Sequence, residues 1–122
     1  MYEISVEQDF DAAHFLRGYG GKCERQHGHR FRVQATLRME KLNDRGLAYD
    51  FTVLKKHLKD IIALLDHVPL NETPPFDKIN PSSENIARTV FNDLKTRLGE
   101  AGGSLHSVAV WESPESHVTY AP

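Results

Sequence analysis

Tyr2, Ile4 and Val6 alternate with polar residues, and the stretch from Phe10 to His14 extends or bends the same segment, so the chain is expected to open on a β-strand. Alternation is strictest at Phe31, Val33, Ala35, Leu37 and Met39. These five predict a second strand, which ends before the turn residues Asn43, Asp44, Arg45 and Gly46. The period then changes. Phe51, Leu54, Leu58, Ile61, Ile62 and Leu65 recur at helical spacing behind the capping residue Asp50 and predict a helix that stops at Asp66-His67. The segment from Pro69 to Pro81 holds four of the six prolines and reads as loop. Ser82 or Ser83 caps a second helix whose apolar face is Ile86, Ala87, Val90, Phe91, Leu94 and Leu98. Glu84 sits in its first turn, and Gly99, Gly102 and Gly103 end it. Ser104 to Glu112 and Ser116 to Tyr120 close the pattern as two strands, with Ser113-Pro114-Glu115 as their turn.

The predicted order is ββααββ, an α+β arrangement of a four-stranded antiparallel sheet with two helices on one face. Two helices cover one face and no more. The other face and the open edges call for a partner, so a homo-oligomer is expected. A chain of 122 residues predicts one domain over residues 1–122. A net charge of −2 gives no reason to expect nucleic acid or membrane as partner, and no apolar run approaches a membrane span. The single cysteine excludes an intrachain disulfide. The first residues carry no basic segment followed by an apolar run, so a cytoplasmic location is expected.

Chemistry concentrates in Cys23-Glu24-Arg25-Gln26-His27-Gly28-His29, behind the glycine-rich stretch 17–22 and a short distance after His14. His27 and His29 point the same way on a strand. Gly28 between them keeps the backbone thin for a close approach. The pair alone is weak, because seven histidines in 122 residues yield about 0.4 such pairs by chance. With His14, however, it supplies three imidazoles and an open fourth position, the ligand set of a catalytic zinc. Lys22 and Arg25 flank Cys23 and would raise its thiolate fraction. Asp66 beside His67 can orient the imidazole, although a histidine at a helix end also complements the dipole. Glu112 shares a strand face with Val108 and Val110, so its carboxylate leaves an apolar row for solvent or a ligand. His57, His106 and His117 have no organised neighbours and read as ordinary surface or sheet residues.

Together these residues resemble the 6-pyruvoyl-tetrahydropterin synthase family, and within it the bacterial 6-carboxy-5,6,7,8-tetrahydropterin synthase branch. The likeness runs through Phe10-Asp11-Ala12-Ala13-His14, Cys23-x-x-x-His27-Gly28-His29, Asp50-Phe51 with Leu54-Lys55, Leu65-Asp66-His67 with Leu70-Asn71, Pro81-Ser82-Ser83-Glu84 and Glu112. It implies a tunnelling fold assembled as trimers paired into hexamers, with sites at subunit interfaces. It implies Zn2+ on His14, His27 and His29, Cys23 as the proton-transfer thiol, and His67 as partner base oriented by Asp66. Glu112 would anchor the guanidine-like edge of a pterin, with Ser83 and Glu84 also at the substrate. Lys22, Arg25 and Arg30 are candidates for its triphosphate.

The implied reaction converts 7,8-dihydroneopterin triphosphate to 6-carboxy-5,6,7,8-tetrahydropterin, releasing acetaldehyde and triphosphate on a route to 7-deazaguanines and queuosine. Three residues between the thiol and His-Gly-His resemble that branch. Glu24, separated from His27 by two residues, departs from it and resembles another branch, in which glutamate is the base and the product is 6-hydroxymethyl-dihydropterin for folate synthesis. Side-chain cleavage, a dual activity and 6-pyruvoyl-tetrahydropterin formation therefore stand as alternatives. A zinc- or pterin-binding module without turnover would not need Cys23 and His67 together.

Overall fold

The structure, a computed structural model, describes residues 1–18 and 25–122. Cys23, Glu24 and Lys22 lie outside the described residues. Two 13-residue strands, β1 (Tyr2–His14) and β2 (His27–Met39), pair antiparallel along their whole length, from Tyr2 opposite Met39 to His14 opposite His27. Helices α1 (Phe51–Ile62) and α2 (Ser83–Leu98) follow, then β3 (Leu105–Ser113) and β4 (Ser116–Tyr120). All pairing is antiparallel in the spatial order β1-β2-β3-β4, which leaves β1 and β4 as edges. The ββααββ order and the one-sided helical cover match the sequence reading.

One face of the sheet is apolar because every second residue is. Ile4, Val6, Phe10 and Ala12 of β1, Phe31, Val33, Ala35 and Leu37 of β2, and Val108 and Val110 of β3 are buried there. Against them pack Leu54, Leu58 and Ile61 of α1 and Ile86, Val90, Phe91 and Leu94 of α2. Burying each such aliphatic or aromatic side chain stabilises the fold by about 1.5–3 kcal/mol. Phe10 and Phe31, directly opposite, stack at 4.8 Å. The other face carries ion pairs: Glu3 with Arg38 at 2.6 Å, Asp9 with Arg32 at 3.0 Å and Asp11 with Arg30 at 3.1 Å. These are exposed and contribute little to stability.

Asp50 caps α1 by accepting from the Thr52 amide, and Ser82, rather than Ser83, caps α2 by accepting from the Asn85 amide. Gly99 ends α2 at φ 60°, a backbone that glycine adopts without strain. The end of α1 departs from the sequence expectation. The helix stops at Ile62 instead of continuing to Asp66-His67. Asp66 and His67 are bonded to β1: the Asp11 amide donates to Asp66 Oδ1 at 2.9 Å, and the His67 amide donates to the Asp11 carbonyl at 2.6 Å. His67 takes φ 57°, a left-handed conformation costing on the order of 1–2 kcal/mol for a residue with a Cβ, and no α-helix passes through it. His117 is a second correction: it lies opposite Trp111 and stacks on it at 4.5 Å.

Candidate metal centre and acid–base pair

Strand alternation continues the buried row of Phe10 and Phe31 into Ala12 and His14 on β1 and into His29 and His27 on β2. The three imidazoles therefore meet at the end of the hairpin, on the helix-covered face. Their ring centroids are 4.7 Å apart for His14–His27, 5.1 Å for His14–His29 and 4.5 Å for His27–His29. Glu112 joins them from β3. A bulge sets Trp111 opposite His117 but Ser113 opposite Ser116, leaving Glu112 between the paired residues, where a side chain is readily re-aimed. Its Oε1 lies 2.9 Å from His14 Nε2 and 3.2 Å from His29 Nε2. One ligand atom from each of the four residues falls within 4.8 Å of the others. Tetrahedral ligands about 2.0–2.1 Å from a zinc ion stand roughly 3.4 Å apart, so small side-chain rotations suffice.

The hydrogen bonds behind the rings decide what this group can do. His14 Nδ1 faces the Pro81 carbonyl at 2.8 Å, and His27 Nδ1 faces the Arg25 carbonyl at 2.7 Å. A carbonyl only accepts, so each Nδ1 is the donor, and in the neutral ring Nε2 then keeps a lone pair. His14 is 1% exposed, and its buried Nε2 has no hydrogen-bond partner among the described residues. The nearby Glu112 oxygen also bears lone pairs and is not aligned as a hydrogen bond. Two acceptors so placed repel each other unless a cation lies between them. Burial holds the pKa of His29 below its ordinary value, reinforced by His14 and His27 and opposed by Glu112, which favours the neutral, ligating ring. The residues fit a metal ion.

Asp66, His67 and Asp11 form a separate cluster. His67 Nδ1 is 2.9 Å from Asp66 Oδ1. The hydrogen bond from the Asp11 amide, with smaller contributions from His67 and Arg30, holds the Asp66 carboxyl below its ordinary pKa. Asp66 can therefore hold the imidazole in one orientation, with Nε2 outward and the side chain 75% exposed. His67 lines a shallow groove with Asp11, Ala12, Ala13, Gly28, His29 and Arg30. Within one chain the acid–base pair thus stands at the edge of β1, in a cluster separate from the imidazole group. A Cβ at Gly28 would meet no atom of the described residues within 4 Å, so none of them makes the close approach that this glycine suggested.

The family model described as 6-pyruvoyl tetrahydropterin synthase matches residues 3–122. The chain belongs to the 6-pyruvoyl tetrahydropterin synthase family. It is 39% identical over 126 residues to a 6-carboxy-5,6,7,8-tetrahydropterin synthase of Synechocystis, covering 98% of this chain and 93% of that protein. It is 31% identical to one of Bacillus subtilis, covering 99% and 86%. A solved structure of the Caenorhabditis elegans 6-pyruvoyl tetrahydropterin synthase superposes with a TM-score of 0.87 at 28% identity, covering 100% of this chain and 97% of that one. Membership makes the chain an enzyme, a lyase.

Beside the imidazole group, a cleft of about 160 Å³ is lined by Glu112, Ser82, Ser83 and Glu84 with Leu16 and Val118. Ser83 and Glu84 are thus brought to Glu112 by the start of α2, and the cleft opens directly on His14. Arg30 is engaged by Asp9 and Asp11 on the outward face, away from this cleft. Sequence reasoning gave no role to Asn71, Asn80 or Arg17. Asparagines in a proline-rich loop commonly bond to backbone, and that is the signal available for them.

Proposed function

We propose that this member of the family is a zinc-dependent lyase that converts 7,8-dihydroneopterin triphosphate and one water to 6-carboxy-5,6,7,8-tetrahydropterin, acetaldehyde and triphosphate. The observation that carries the metal half of this reading is the buried His14 Nε2, without a hydrogen-bond partner among the described residues and 2.9 Å from a carboxylate oxygen. The two relatives named above support the choice of product. His14, His27 and His29 would hold the ion, which supplies Lewis-acid stabilisation of negative charge on the substrate side-chain oxygens.

The chain's own groups do the rest. Glu112, facing the cleft, accepts two parallel N–H bonds from the amino-pyrimidine edge of the pterin, with Ser83 and Glu84 beside it. Cys23 takes or returns a proton at the carbon next to the ring, and His67, oriented by Asp66, does so from the other side. The pair forms a cluster separate from the imidazole group of its own chain, at the edge of the sheet, and the complete site combines the metal group of one subunit with Asp66 and His67 of another. The open edges of β1 and β4 are the surfaces by which subunits join, in trimers that pair into hexamers. The product then enters 7-deazaguanine and queuosine synthesis in the cytoplasm.

One residue favours a second reading. Glu24 stands where a carboxylate base would direct side-chain cleavage to 6-hydroxymethyl-dihydropterin. Incubation with dihydroneopterin triphosphate and chromatographic separation of the products tests both. 6-Carboxytetrahydropterin with an equivalent of acetaldehyde is expected; hydroxymethylpterin as the main product would overturn the assignment.

A further inference from the structure

Along its free edge, the end of β1 is matched residue by residue with the segment that joins α1 to α2. The odd residues 11, 13, 15 and 17 present their amides and carbonyls to that edge. Asp11 is bonded by Asp66 and His67, and Ala13 bridges to Pro69 in parallel fashion. Phe15 donates its amide to Asn71 Oδ1 at 2.9 Å and accepts from Asn71 Nδ2 at 3.0 Å. Arg17 repeats the pattern with Asn80, at 2.9 and 3.0 Å. Each asparagine amide thus stands in for the backbone of an absent strand, satisfying one donor and one acceptor of a single residue. The Arg17 guanidinium returns to the same segment and donates to the carbonyls of Asn71, Phe76 and Ile79.

His14 sits inside this clamp. Phe15 follows it in the chain, and the Pro81 carbonyl that takes its Nδ1 proton follows Asn80. Asn80, Pro81, His14, Phe15, Leu16 and Arg17 therefore form one hydrogen-bonded ring, closed by the Asn80 amide on Arg17. Asn85 of α2 braces it by donating to the Asn80 carbonyl at 2.9 Å. The Pro81 carbonyl fixes which nitrogen of His14 carries the proton and where the ring points.

We propose that Asn80, supported by Asn71, is a positioning residue for the metal ligand His14, setting the Pro81 carbonyl that selects its ligating tautomer. The inference rests on the metal reading above. Partners that orient a ligating histidine are typically worth 10–100-fold in metal affinity.

The test measures zinc affinity by competition with a chromophoric chelator, together with the visible spectrum of the cobalt-substituted protein and the melting temperature of the metal-free protein. Asn80→Ala is expected to weaken zinc binding about 10–100-fold and to shift the cobalt bands. Asn43→Ala is the matched control, because Asn43 also makes two bonds to backbone, to the amides of Arg45 and Leu47, in a turn outside the clamp. It should lower the melting temperature without moving the cobalt bands. Asn80→Asp keeps the acceptor for the Arg17 amide and should recover part of the affinity. If Asn80→Ala does not fold, Asn80→Asp carries the test with a smaller expected loss. Wild-type affinity and spectrum in the Asn80 variants that fold, or an equal loss in Asn43→Ala, would overturn the proposal. Failure of the wild-type protein to bind zinc would instead remove the metal reading, and this one with it.

Discussion

His14 Nε2 and Glu112 Oε1 lie 2.9 Å apart, while Nδ1 of the same ring faces the Pro81 carbonyl at 2.8 Å. A buried lone pair facing a carboxylate is destabilising by itself, and a native fold leaves few such groups without a partner. The apposition becomes favourable once a cation enters.

Zinc content follows directly. Purified protein is expected to carry close to one zinc per chain, since the three imidazoles are already turned towards one point. His27→Ala should lose most of it and also lower the melting temperature, because binding to the folded state alone stabilises that state. Full zinc content in that variant, measured by atomic absorption, would exclude the site.

Asp66 gives a pH dependence whose direction is fixed. Its folded pKa lies below the ordinary value of 3.8. The stabilisation from its hydrogen bonds to Asp11 and His67 is therefore fully present above pH ~4 and is lost as pH falls through the folded pKa. Melting curves of wild type and Asp66→Asn should differ at neutral pH and converge towards pH 2–3. A difference that persists undiminished at the acid end would show that the carboxylate charge is not what holds the corner. Turnover by Asp66→Asn should fall about 100- to 10,000-fold, because the His67 ring loses the carboxylate charge that stabilises its protonated form.

The apolar periodicity sufficed for four strands, two helices and the shared face of His27 and His29, because those follow from spacing along one segment; His14 joins them only through the β1–β2 register. Features set by contacts between distant segments were not legible. Leu65 continues the helical spacing of α1, yet the helix stops at Ile62 because Asp66 and His67 are claimed by Asp11, 55 residues away in sequence. Glu112 was recognisable as a carboxylate leaving an apolar strand, but its aim at His14 depends on the bulge between Trp111 and Ser113. His117 lacks neighbours in sequence and gains Trp111 only through the β3–β4 register. Asn71 and Asn80 look like ordinary loop residues until β1 is seen to continue beside them.

The labour of Cys23 and Glu24 should separate by mutation. Cys23→Ala is expected to reduce 6-carboxytetrahydropterin formation about 100- to 10,000-fold with zinc retained, since a proton-transfer group is lost and no ligand is. Glu24→Gln should spare that product and remove any hydroxymethylpterin. Adjacent residues on an extended segment face opposite ways, so one substrate pose is not expected to use both. Equal destruction of the carboxy product by both substitutions, in a quantitative product assay, would refute this division.

The placement of His67 predicts complementation between inactive chains. His27→Ala removes the metal group and leaves Asp66 and His67; His67→Ala does the reverse. If each site combines the imidazoles of one subunit with the acid–base pair of another, neither variant alone turns over substrate, in any assembly. Co-refolding equal amounts of the two should restore activity, because random pairing leaves about a quarter of the sites with both halves intact. The gain should require subunit exchange, so simple mixing of preformed oligomers would recover less, and more slowly. A site built within one chain behaves differently: every His27→Ala chain lacks metal, every His67→Ala chain lacks its base, and no mixture contains a working site. Activity in the co-refolded sample at the level of the separate variants would therefore assign His67 to its own chain's metal group and overturn the shared-site arrangement.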